Sequence, residues 1–184
     1  GFALSELGES VYLSSGNAAG QLTGFRTSAK FGAAERDVTF GRIPRSDGAV
    51  DFEALAGATR GAANAGPRVG PMVISEIMYN PEGDGHEFVE LHNASASGVP
   101  LSDGTHPWKL EGAVDYAFPV GTVLPAWGYA LVVGGEPDTF RLRYGIPASV
   151  PVFGPYEGTL SNSGESLRLE KPGAAELDGS VPEI

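Results

Sequence analysis

The sequence predicts an all-β chain with the strand spacing of a sandwich. Short runs of alternating apolar and polar residues recur along it, and turn signals separate them at that spacing. Its 27 Gly and 14 Pro supply the turns. A hydrophobic fraction of 41% is enough to fill a core in a chain of 184 residues.

The strands are read in order. ESVYLSS, at 9–15, alternates and is β-branched or aromatic in its centre. RDVTFGRI, at 36–43, is the next, and the turn signal SDG at 46–48 leads into VDF. The stretch 54–71, ALAGATRGAANAGPRVGP, admits a helical turn at 52–56. Its Gly spacing forbids a long helix, so it reads as a connector. VISEIMYNP at 73–81 is a strand and turn, followed by the acidic loop PEGDGH. HEFVELHN at 86–93 alternates, with Phe88, Glu90 and His92 on one face and Glu87, Val89 and Leu91 on the other. Strands follow at 108–111, 116–118 and 128–135, then a short helix at 138–144 and the strand SLRLEK at 166–171. The unbroken run ALVV predicts a strand buried on both faces.

Charge and composition narrow the function. The net charge of −11 is uneven: residues 1–70 carry seven basic and seven acidic side chains, and residues 71–184 carry five and 16. An acidic surface repels phosphate backbones, so nucleic acid is not an expected partner. With no Cys there is no disulfide, thiolate catalysis or Cys-based zinc site. There is no apolar run of transmembrane length, so no membrane span is expected.

Four motifs carry a resemblance. ISEIMYNP at 74–81, EFVELHN at 87–93, FPVGTVLPAWGYALVV at 118–133 and LSNSGESLRL at 160–169, in this order, resemble the lamin tail domain. That family is an immunoglobulin-like β-sandwich found in nuclear lamins and in many bacterial secreted or surface proteins. The resemblance implies that fold, and makes Glu76, Asn80, Glu87, Glu90, Asn93, Asn162, Gly164 and Glu165 regular motif positions.

The family continues past the last motif with a Val-Asp strand, a second hairpin and a Thr-Pro-Gly-Ala-Ala-Asn type stretch. Similar features stand at the front of this chain: GESVYL, VTFGRIPRSDG, VDF and ATRGAAN, with Arg60 where the family often has Pro. LSELGESVYL at 4–13 and LSNSGESLRL at 160–169 are identical at six of ten positions, 156 residues apart. The expected organisation is therefore closing strands of one repeat at 1–64, a connector at 65–72, and opening and central strands of the next repeat at 73–184. The two segments are expected to meet in one permuted sandwich or to exchange strands between molecules as a swapped homodimer.

Candidate chemistry is sparse. HEFVELH is not the H-E-x-x-H zinc motif, because its second His comes six residues after the first and the segment reads as a strand. Glu76, Glu87 and Glu90 read as caps of sheet ends rather than as a catalytic carboxylate pair. Glu82, Asp84 and Glu87 are the candidate ligands of a weak calcium site, although the loop lacks EF-hand spacing. Otherwise no cofactor is expected. Nucleophile-elbow, phosphate-loop and dinucleotide motifs are missing. Trp108 and Trp127 read as packing residues, with sugar stacking as the alternative. The expectation is a non-catalytic interaction or architectural module of a larger bacterial surface or secreted protein, with neighbouring domains or other proteins as partners. The alternative is a carbohydrate- or calcium-binding module attached to a hydrolase.

Overall fold

The structure is a computed structural model that describes residues 3–5, 7–175 and 179–184. The chain divides into two compact units, Gly1–Val69 with Gly173–Ile184, and Gly70–Pro172.

In the first unit, β1 (Gly8–Gly16) and β2 (Leu22–Gly32) pair antiparallel, with Val11 opposite Ala29 and Leu13 opposite Thr27. Asn17 closes this hairpin, its Oδ1 accepting from the backbone N–H groups of Ala19 and Gln21. A second hairpin joins β3 (Phe40–Pro44) to β4 (Val50–Ala54), with Arg42 opposite Phe52. Its turn is held by Asp47, which accepts from the Ala49 N–H and pairs with Arg45 at 2.6 Å. The rings of Phe31, Phe40 and Phe52 form a row with centroid spacings of 5.7 and 6.4 Å. Leu55 is buried beside Gly41, where a Cβ would lie 2.7 Å from both Leu55 and Asn64. Residues 66–68 run along β4: the Ala56 N–H donates to Gly66 O and the Arg68 N–H to Ala54 O.

The second unit is a two-sheet sandwich. It contains, in chain order, β5 (Met72–Met78), β6 (Phe88–Asn93), β7 (Val99–Pro100), β8 (Lys109–Gly112), β9 (Val114–Ala117), β10 (Val123–Leu124) and β11 (Tyr129–Val133). Then come α1 (Pro137–Tyr144), β12 (Val152–Phe153), β13 (Glu157–Gly158) and β14 (Leu167–Glu170). One sheet has the order β12-β11-β6-β5 and the other β13-β9-β8-β14, with β10 and β7 paired separately. Between the sheets lie Val89, Leu91, Ala130 and Val132 from the first and Leu110 and Val114 from the second, joined by Phe118 and Leu124. Each is nearly inaccessible, and a buried side chain of this size stabilises by ~1.5–3 kcal/mol.

The ALVV run is buried on both faces, as its sequence requires. Ala130 and Val132 face the sandwich core, and Leu131 and Val133 pack with Phe140 of α1. That helix links β11 to β12, which are parallel and so need a crossover. Pro137 starts it and Gly145, at φ 64°, ends it in the left-handed conformation that glycine adopts without strain.

Three details depart from the sequence reading. The strand expected at 36–43 is confined to β3, because Asp37 takes φ 64° and the chain turns there. The helical turn at 52–56 is instead the end of β4 and the buried Leu55. The 11-residue β2 was not anticipated. Its residues are largely exposed, so the apolar periodicity that marks a half-buried strand is weak.

Candidate functional site

Asn93 ends β6 and is fully buried. Its Nδ2 donates to the carbonyls of Ser97, Leu124 and Pro125 at 2.7, 3.1 and 2.8 Å. Its Oδ1 accepts from the Ser95 N–H at 3.0 Å and the Ser95 hydroxyl at 2.7 Å. One side chain thus gathers carbonyls from two segments that are distant in sequence.

The carboxylates are placed separately. Glu87 Oε2 accepts from the Tyr156 hydroxyl and the Leu160 N–H, each at 3.0 Å. Burial pushes the Tyr156 phenol well up from its ordinary value, and the adjoining Glu87 carboxylate pushes it further. Glu90 Oε1 accepts from the Ser75 hydroxyl at 2.7 Å. Glu76 lies opposite Glu90 across the β5–β6 ladder, next to a bulge, and is exposed. No geometry pairs two of these acids across a cleft.

The acidic loop is committed elsewhere. Asp84 makes a bidentate pair with Arg143 of α1, at 2.6 and 3.1 Å, which holds its carboxyl below the usual range. Glu87 turns toward Tyr156, and Glu82 is exposed. Two of the three candidate calcium ligands, Asp84 and Glu87, thus already bind different protein partners. Asn80 borders a hollow of ~350 Å³ with Pro81, His86 and Tyr144. His86 packs edge-on against Phe140 and Tyr144, and its shielded Nδ1 has no hydrogen-bond partner among the described residues. His106 and Asp103 form an exposed local pair at 2.8 Å. The backbone N–H and then the side chain of His106 lower Asp103 to about 2.

The duplicated motif has one geometry in both copies. Gly164 stands at φ 89° and Gly8 at φ 90°. Glu165 accepts from the backbone N–H of Ser161, and Glu9 from that of Ser5 at 2.6 Å. The Gly164 N–H also reaches Ser161 O, as the Gly8 N–H reaches Ser5 O. Asn162 sits exposed inside the second of these turns. The likeness seen in the letters is thus a likeness of backbone and of carboxylate.

Two surfaces differ from the sequence reading, which took Trp127 as a packing residue with sugar stacking as the alternative. Trp127 is 59% exposed and takes φ 57°, a rare conformation for a bulky residue, with its N–H donating to Ser95 O. Near it in sequence, Tyr129 is exposed and stacks on His92 with centroids 4.2 Å apart. Trp108, by contrast, is half-buried against the core. In the first unit, Val11, Ala29, Phe31, Phe40 and Phe52 line an open apolar groove of ~620 Å³. In the same unit Leu13 and Phe25 are 66% and 62% exposed. The signal for this face was present in the alternation of β1, but a sequence cannot tell whether an apolar face is covered.

Residues 66–181 match the family model of the Lamin Tail Domain. No curated protein matches the chain, and no solved structure does.

Proposed function

The chain belongs to the lamin tail domain family, and from that membership we propose a non-catalytic interaction and architectural module of a larger, repeat-containing bacterial surface or secreted protein. The observation that carries this reading is how the reactive side chains are used. Glu87, Asn93 and Glu165 each bind backbone groups, and Glu90 binds a neighbouring hydroxyl. A carboxylate already accepting from a phenol and an amide is held as a brace, not poised as a general base. Partners would be neighbouring domains or other proteins, met through apolar surface such as that around β1. The test is a screen of the purified chain against glycoside, ester, peptide and phosphodiester substrates. No turnover is expected; turnover abolished by Glu87→Gln or Glu90→Gln would overturn the reading.

A second reading has one specific observation behind it. Trp127 and Tyr129 are exposed aromatics near one end of β11, and Tyr129 is braced by His92. Exposed rings of this kind stack on the apolar faces of sugars, so carbohydrate is the ligand class. Titration with soluble polysaccharides while following tryptophan fluorescence tests it. A response lost in Trp127→Ala supports sugar binding; no response leaves the architectural reading alone.

A further inference from the structure

The outer face of the β12-β11-β6-β5 sheet carries three rungs across β5, β6 and β11. Met78, Phe88 and Val133 form the first, Glu76, Glu90 and Leu131 the second, and Val73, His92 and Tyr129 the third. Val89, Leu91, Ala130 and Val132 alternate with these and face the core. α1 covers one end of the face, where Phe140 packs with Phe88, Leu131 and Val133. The other end reaches solvent. There Glu76 is exposed, Tyr129 is 44% exposed, and Val73, Glu90 and His92 are half-buried. All of these residues belong to the second unit.

The middle rung sets two carboxylates against each other. Glu76 and Glu90 are direct partners in the ladder, so their side chains leave the sheet on the same side. Like charges opposed in this way destabilise a sheet. Glu90 accepts from the hydroxyl of the bulged Ser75 at 2.7 Å, and neither acid has an ion-pair partner among the described residues. One rung on, His92 and Tyr129 stack with centroids 4.2 Å apart and planes 19° apart. His92 Nδ1 donates to Gly128 O at 3.2 Å, which holds the imidazole in place. Neighbouring strands are ~4.8 Å apart, so acids and rings share a surface ~10 Å wide.

We propose that this face receives an arginine-bearing segment of another protein. The guanidinium lies between Glu76 and Glu90, and the stem of the side chain lies along the His92–Tyr129 rung. Each part of this pairing answers a feature of the face. A cation offsets the opposed carboxylates. The planar fork of arginine donates to two acceptors at once, and its flat group also stacks on aromatic rings. A bare metal ion would use the acids and leave the rings idle. A sugar would use the rings and bring no charge to the acids. Residues 71–184 carry five basic and 16 acidic side chains, and that excess draws a basic segment in from a distance. The proposal rests on the interaction role above and names one partner chemistry for it. If the segment fails to bind, that role keeps other partners, whereas turnover in the substrate screen would end the role itself.

The probe is a fluorescein-labelled peptide, Gly-Ser-Arg-Gly-Arg-Ser-Gly, titrated with the full chain at ~0.15 M salt and followed by anisotropy. Saturable binding below ~1 mM is expected. Glu76→Gln and Tyr129→Ala should each weaken it at least ~3-fold. Both side chains are exposed, so both variants should keep the circular dichroism spectrum of the parent chain. Glu157→Gln removes the same charge from an exposed position on the other sheet. It should leave binding within ~1.5-fold, because salt screens exposed charges beyond ~8 Å. Lysine in place of both arginines should weaken the peptide, since an ammonium neither forks nor stacks. Absence of saturable binding overturns the proposal, as does equal weakening by Glu76→Gln and Glu157→Gln. So does a Tyr129→Ala chain that binds as tightly as its parent, or a lysine peptide that binds as tightly as the arginine one. A soluble polysaccharide that binds through Tyr129 while the peptide does not also overturns it, and assigns the face to sugar.

Discussion

Asn93 and Glu87 act on the second unit much as cross-links would, each tying segments distant in sequence. An amide has two donor hydrogens, and Asn93 spreads them over three carbonyls while accepting twice from Ser95. Asn93→Ala removes all of this and leaves the buried Leu124 carbonyl without the amide that meets it. The expected cost is ~3 kcal/mol, and the melting temperature should fall by ~6–12 °C in a calorimetric scan. The pH dependence follows from Tyr156. Its folded-state value is raised, so the stability it contributes is complete below the ordinary phenol value near ~10 and is lost as pH rises through the folded one. Stability should therefore decline above pH ~10. Tyr116 is also raised by burial, so the comparison is with Glu87→Gln, which should narrow the Tyr156 shift in an ultraviolet titration. Both residues were legible as motif positions through the family resemblance. Their partners were not, since Leu160 and Leu124 are 73 and 31 residues away and no local pattern encodes such pairings.

At the scale of elements, α1 shows how little local signal a well-packed helix needs. It is eight residues long and carries one buried side chain, Phe140. Alone it would be far too short to persist. It is held by Phe140 against Phe88, Leu131 and Val133, and by Arg141, which donates to the carbonyls of Ile146, Pro147 and Val150. Phe140→Ala should therefore cost ~3–5 kcal/mol in a denaturant titration of the whole chain. The helix was readable at 138–144 because Pro and Gly bracket it, and β11 because an apolar run admits few alternatives. β2 was not readable, since its side chains stand mostly in solvent and nothing in the letters enforces its long pairing with β1. The partner of Asp84 was not readable either: it meets Arg143, 59 residues on, in a surface brace.

At the scale of the whole molecule, the two units differ in closure. In the second, the facing sheets bury a continuous core. In the first, Val11, Phe31, Phe40 and Phe52 line an open apolar groove, and Leu13, Leu22 and Phe25 are exposed. The fold class and the family were legible from strand spacing and four ordered motifs, because those report local periodicity and turn chemistry. Closure was not legible, because it depends on which surfaces find cover. Amide hydrogen exchange on the dilute, monomeric chain measures it most directly. The account predicts that β6 and β11 amides exchange at least ~100-fold more slowly than those of β1 and β2. Equal protection across all four strands would contradict it.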